Sequence, residues 1–198
     1  MFNNLRYRSG LRGIDALEKK VNRKKFIYNL DTARKVGIVF EGSVTGVPEE
    51  IKEFMQYLKK RNLDVHAIGY VDMKELTVGL EQHPTIGFFS QKELRWNGIP
   101  KSQQVTEFTD IRLDILIDFT RRELMPVRGV VALSHSSFKV GFQNYFHSPF
   151  DFILSVKESE SLSFIIEQAK HYLMAINNRH YQVAHENDGD TKYGLATN

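Results

Sequence analysis

Two glycines, Gly42 and Gly46, punctuate the stretch VFEGSVTG, with Glu41, Ser43 and Thr45 around them. An apolar run precedes them, and Pro48, Glu49 and Glu50 follow. A buried strand is therefore expected to turn here into a helix. Such a loop can hold a phosphate, because the first amides of a helix are unsatisfied donors. The spacing fits neither of two known cradles: G-x-G-x-x-G and G-K-[ST] are both absent. Glu41 would also repel a phosphate at the strand end. Ser43 and Thr45 still offer hydroxyl bonds. The loop thus reads either as a plain βα turn or as one wall of a small-ligand site, with Glu41, Gly42, Ser43 and Thr45 as candidate contacts.

A second candidate is ILID, residues Ile115 to Asp118, with Thr120 just beyond. It is similar to the strand that ends in a metal-holding aspartate in nucleotide hydrolases, though the matching phosphate loop is missing. An aspartate at a strand end also bonds neighbouring backbone amides, which is the simpler role. The segment SHSS, Ser134 to Ser137, places hydroxyls beside His135. Adjacent side chains on a helix diverge, and no G-x-S-x-G elbow is present, so a nucleophile–base pair is not expected. Ser134 is retained as a ligand candidate, against the alternative that these hydroxyls satisfy a helix C-terminus. The seven histidines form neither H-x-x-x-H nor H-E-x-x-H, and there is no cysteine. Neither a metal site nor a cofactor is expected.

These residues need elements to position them. Val36 to Phe40, Val65 to Val71, Thr85 to Ser90, Asp114 to Thr120 and Asp151 to Val156 are apolar runs of strand length, and FKVG makes a further short one. They carry little polar alternation, as strands covered on both faces do. Between them Ile51, Phe54, Met55 and Leu58 keep helical spacing. So do Val127, Val130 and Val131, and then Leu162, Ile165, Ile166, Ala169, Leu173 and Ile176. A short helix is expected over Met73 to Leu80, and an irregular stretch around Asn97-Gly98. Strands alternating with helices imply a three-layer α/β sandwich, mostly parallel and Rossmann-like or flavodoxin-like, with a basic amphipathic helix at the N-terminus. In such folds ligands sit outside the carboxyl ends of the strands. Ser90, Asp118 to Arg122 and Ser134 to Ser137 are expected there, with the opening loop.

Charge is uneven. In the first 25 residues Arg6, Arg8, Arg12, Lys19, Lys20, Arg23, Lys24 and Lys25 face two carboxylates, a net of +6. The whole chain is +3, so the remainder is −3. Leu11, Ile14, Leu17 and Val21 give this segment an apolar stripe. The expected division is a basic helical arm over 1–30, one α/β domain over 31–180, and a polar, disordered tail over 181–198. No run has the roughly 20 apolar residues of a membrane helix. The aromatic run FQNYFHSPF lies in a loop, where it could cover a sheet edge or meet a partner.

NRKKFIYNLDTARKVGIVFEG, DILIDFT, ALSHSSFKVG and FDFIL together resemble a family of small α/β proteins from Bacteroidetes, a domain of unknown function, over roughly Asn22 to Asn177. The resemblance implies a bacterial, cytoplasmic setting and assigns no catalytic residue. Two functions remain open. One is a non-enzymatic adaptor whose basic arm contacts RNA, the ribosome or another anionic partner. The other is an enzyme or sensor that binds a nucleotide-like or sugar-like ligand at the strand ends.

Overall fold

The computed structural model describes residues 2–83, 85–144, 147–157 and 159–176. The expected tail over 181–198, and Tyr145 and Phe146 of the aromatic loop, lie outside the described residues. The elements run α1 (Phe2–Glu18), β1 (Lys35–Glu41), α2 (Glu49–Lys60), β2 (Asp64–Tyr70), α3 (Val78–Glu81) and β3 (Gly87–Phe89). They continue with α4 (Gln103–Asp110), β4 (Ile115–Asp118), α5 (Met125–Leu133), β5 (Phe138–Gly141), β6 (Phe152–Ile153) and α6 (Leu162–Ala175).

All six strands are parallel, in the order β3-β2-β1-β4-β5-β6. This is the doubly wound order in which the chain starts at the centre, runs to one edge, and returns to build the other half. Val36 pairs with both Val65 and Ile115, so β1 and β4 flank the point where the direction reverses.

The two faces follow from residue alternation along β1. Val36, Ile38 and Phe40 pack with Ile51, Phe54 and Leu58 of α2 and with Ile165, Ile166 and Leu173 of α6. Val39 joins the other layer, made with Val105 and Phe108 of α4 and Val127, Val130 and Val131 of α5. Helix starts are fixed by side-chain caps: Ser102 accepts from the Val105 amide, and Ser161 from the Phe164 amide.

Helix α1 lies outside α5, where Ile14 packs with Ile99 and Ala132. Gly10 permits this approach. A Cβ there would stand 2.5 Å from the Asn97 carbonyl oxygen, a backbone atom that cannot swing aside.

The parallel three-layer expectation holds, with local corrections. The last strand is two residues long rather than the six of Asp151 to Val156. The Asp151 amide already bonds the Lys139 carbonyl, while its carboxylate takes the Lys139 amide and Arg23; the Leu154 amide makes the last bond to β5, at the Gly141 carbonyl, and pairing stops there. The helix expected over Met73 to Leu80 is the single turn α3. The stretch read as irregular, Lys92 to Phe108, overlaps a 3-10 turn over Gln91–Glu93 and holds most of α4. Helix α1 stops at Glu18, so Val21 is not on its stripe.

Candidate functional site

At the carboxyl edge the opening loop is closed on itself. The Ser43 amide donates to the Gly46 carbonyl at 3.1 Å, and the Gly46 amide returns the bond at 2.9 Å. Gly46 adopts φ +105°, a region glycine enters without strain. The Ser43 and Thr45 hydroxyls lie 2.7 Å apart and bond each other. Glu41 forms a two-pronged ion pair with Arg122. The Ser43 and Gly46 amides and both hydroxyls are thus committed, and a carboxylate stands where a phosphate would need a donor.

Asp118 lies across the switch point and is 2% exposed. Its Oδ1 accepts the Thr120 amide at 2.9 Å, the local bond expected of a strand-end aspartate. Burial raises its carboxyl to about 7, and the bonds from Thr120 offset only part of that.

The open space is next to these residues rather than among them. A cavity of about 500 Å³ is lined by Tyr70, Asp72, Gln91, Asn97, the first residues of α5, and Arg6 and Tyr7 from α1. Tyr70 ends β2 and donates its hydroxyl to Asp72 Oδ1 at 3.0 Å. Gln91, from the 3-10 turn after β3, donates to the same oxygen at 2.9 Å. Those bonds, Gln91 first and then Tyr70, hold the Asp72 carboxyl below its ordinary range. Burial, and then the bond to Asp72, push the Tyr70 phenol up. Asn97 Oδ1 is buried and has no hydrogen-bond partner among the described residues. An unmade bond of this kind costs about 1–3 kcal/mol, so a turn of the side chain that brought Oδ1 to a donor in the cavity would be favoured. Trp96, the neighbour of Asn97 in the chain, is 68% exposed.

Residues 7–176 match a family of unknown function, DUF6913. The chain belongs to that family. The match starts closer to the N-terminus than the resemblance over Asn22 to Asn177, and it takes in most of α1. It also covers every residue lining the cavity except Arg6. No curated protein and no solved structure matches the chain.

In this DUF6913 chain Glu41, Gly42, Ser43, Thr45, Asp118 and Thr120 share the carboxyl edge, while Ser134 is at the opposite one. In a parallel sheet a helix runs back against the strands, so the end of α5 and the start of β5 meet at the amino edge. There Ser134 caps α5 and its Oγ accepts the Ser136 amide. His135 Nδ1 contacts the Thr109 carbonyl at 3.0 Å. Lys139, fully buried, donates its amine to the Ala132 carbonyl at the end of α5. Burial lowers its amine to about 7, helped by the nearby Arg23 charge.

The basic candidates divide. Arg23 is bidentate to Asp151 at 2.7 Å on both arms, and Lys25 reaches the same carboxylate at 3.1 Å. Burial alone would raise the Asp151 carboxyl, but Arg23 and the Lys139 amide reverse this and hold it low. Arg6 faces the cavity. Arg8, Arg12, Lys19, Lys20 and Lys24 are exposed.

Tyr70, Asp72, Gln91 and Asn97 were not singled out from sequence. Tyr70 and Asp72 follow from the strand-end rule once it is applied to β2. Asn97 sits in the stretch read as irregular, and Gln91 just before it, after the strand expected over Thr85 to Ser90.

Proposed function

We propose that the cavity at the carboxyl edge is a small-ligand site that takes a nucleotide-like or sugar-like molecule. The observation that carries this reading is Asn97 Oδ1, a buried acceptor without a partner, beside an oriented Asp72 carboxylate in a cavity of about 500 Å³. Ligand pockets of roughly 300–1,000 Å³ with a few convergent polar groups are the usual form of such sites. The position agrees with the rule for open parallel sheets. Binding or sensing is favoured over catalysis. Asp72 is held as a weak base, and Tyr70, with its phenol pushed up, serves as a donor.

A thermal-shift screen of nucleotides, sugar nucleotides and sugar phosphates tests the reading. A ligand at about 100 times its Kd adds about 2.7 kcal/mol, equivalent to a rise of roughly 5–11 °C in Tm. The rise should vanish in Asp72→Ala. If no compound raises Tm, or if the rise survives Asp72→Ala, the site is elsewhere or does not exist.

A second reading rests on the exposed Arg8, Arg12, Lys19, Lys20 and Lys24, which form a basic surface on and after α1. In it the protein is an adaptor and this surface meets RNA, the ribosome or another polyanion. With about four or five phosphates neutralised, log K should fall with log salt at a slope of roughly −3 to −4 on single-stranded RNA. A flat salt dependence in filter binding, or no loss on charge reversal at Lys19, Lys20 and Lys24, would refute it.

The setting that accompanies both readings is the cytoplasm of a bacterium of the Bacteroidetes. It is supported by the resemblance and by a chain without cysteine. Among the described residues no helix is long and apolar enough to cross a membrane. Recovery of the native protein in a washed membrane fraction would contradict the cytoplasmic part.

A further inference from the structure

We infer that the ligand is a phosphorylated polyol, a sugar phosphate or a nucleoside phosphate, with its hydroxyls on Asp72 and Asn97 and its phosphate on Arg6. This rests on the small-ligand reading of the same cavity.

The unfilled bonding capacity of the lining defines the complement. Asp72 uses only Oδ1, which takes both the Tyr70 and Gln91 bonds, and Oδ2 accepts nothing among the described residues. Asn97, on the same lining, carries a second acceptor without a partner, Oδ1, which a turn of the side chain would bring to a ligand. The ligand must therefore bring hydrogen-bond donors to that end. The donors are hydroxyls rather than an ammonium group, because the charge of Asp72 already has cations about it. Arg122 stabilises the ionised Asp72 and, with Arg6, acts on the neighbouring Tyr70.

Arg6 also lines the cavity, and it makes no hydrogen bond or ion pair among the described residues. Its guanidinium offers a planar fork that matches phosphate. Arg122, the other nearby arginine, is occupied by Glu41. An anion at Asp72 would be repelled, and a neutral polyol would leave Arg6 idle. A molecule that is anionic at one end and hydroxylated at the other meets both conditions. Helix α1 then has a role in binding, since it carries Arg6 over the cavity.

Calorimetric titration of the full chain with ribose 5-phosphate, AMP, ribose, adenosine, inorganic phosphate and glutamate tests this. Ribose 5-phosphate or AMP should bind, and which of the two binds better tells a sugar phosphate from a nucleoside phosphate. Ribose, adenosine and phosphate should be weaker than their phosphorylated or hydroxylated counterparts by roughly 10–100-fold. Arg6→Gln, at an exposed helix position, should erase that advantage while ribose binding stays unchanged. Asp72→Asn should weaken all the polyols.

Equal affinity for adenosine and AMP, tight glutamate binding, or wild-type affinity in Arg6→Gln would overturn the assignment. If those neutral or amino-acid probes bind with sensitivity to Asp72→Asn, the cavity remains a ligand site and only the class is wrong. If no probe binds, both readings fall.

Discussion

Asp118→Asn should stabilise the protein at pH 8 by on the order of 4 kcal/mol, while near pH 4 the two proteins should differ little. Asp118 is buried beneath the edge of β4, and its carboxyl is raised from 3.8 to about 7. Between those values the folded protein holds a proton that the unfolded chain has released. Stability therefore falls as pH rises from about 4 to about 7, and is level beyond. This is the reverse of the usual paired carboxylate. Asparagine preserves the volume and the Oδ1 acceptor for the Thr120 amide, and it cannot ionise. Urea unfolding of both proteins at pH 4, 6 and 8 isolates the effect, because the other titrating groups cancel in the difference. Parallel pH profiles would show that the carboxylate is stabilised in the fold and that the argument from burial is wrong.

Arg128→Met is the counter-case among buried charged groups, with an expected loss of about 2–4 kcal/mol and a fall in Tm of roughly 4–16 °C. Arg128 is 1% exposed. It donates to Glu123 at 2.7 Å and to the His147 carbonyl at 2.5 Å, and so ties α5 to the segment before β6. Glu123 also accepts the Tyr7 hydroxyl at 3.0 Å, which carries the network into α1. Methionine fills much of the space but donates nothing, so the Glu123 carboxylate is left with the Tyr7 bond and no cation, and the His147 carbonyl loses a donor. Adding Glu123→Gln should recover part of the loss, because the orphaned charge is then gone. A coupling of more than about 1 kcal/mol is expected from such a contact pair. A loss under 1 kcal/mol for Arg128→Met would mean that water replaces the guanidinium without penalty.

The strands were legible because a buried parallel strand needs a continuous apolar run, and Val36 to Phe40 and Ile115 to Ile117 supply one. Their parallel arrangement followed from the intervening helical stripes. The length of β6 was not legible, since Asp151 to Val156 has the right composition. Its pairing stops after the Leu154 amide meets the Gly141 carbonyl, because its partner β5 itself ends at Gly141. Ser134 was assigned to the wrong edge because a hydroxyl cluster after a helix looks like one after a strand until the direction of each is known. The cavity escaped notice for a similar reason. It draws on the end of β2, the turn after β3 and the first turns of α1, three segments that only the order β3-β2-β1 and the packing of α1 bring together. Arg6 could be read only as one cation among eight, since a single sequence does not show which of them turns toward a cavity.

The sheet ends at β3 on one side and β6 on the other, with three and two residues. Part of the β3 margin is sealed as well, because the Phe88 amide donates to the Gln104 side chain at 3.1 Å. A stranger's extended segment needs a row of free backbone groups to add itself to a sheet, and these flanks present almost none. The molecule thus carries its own guard against fibril growth, and its long apolar strands stay safely interior as long as the native state persists.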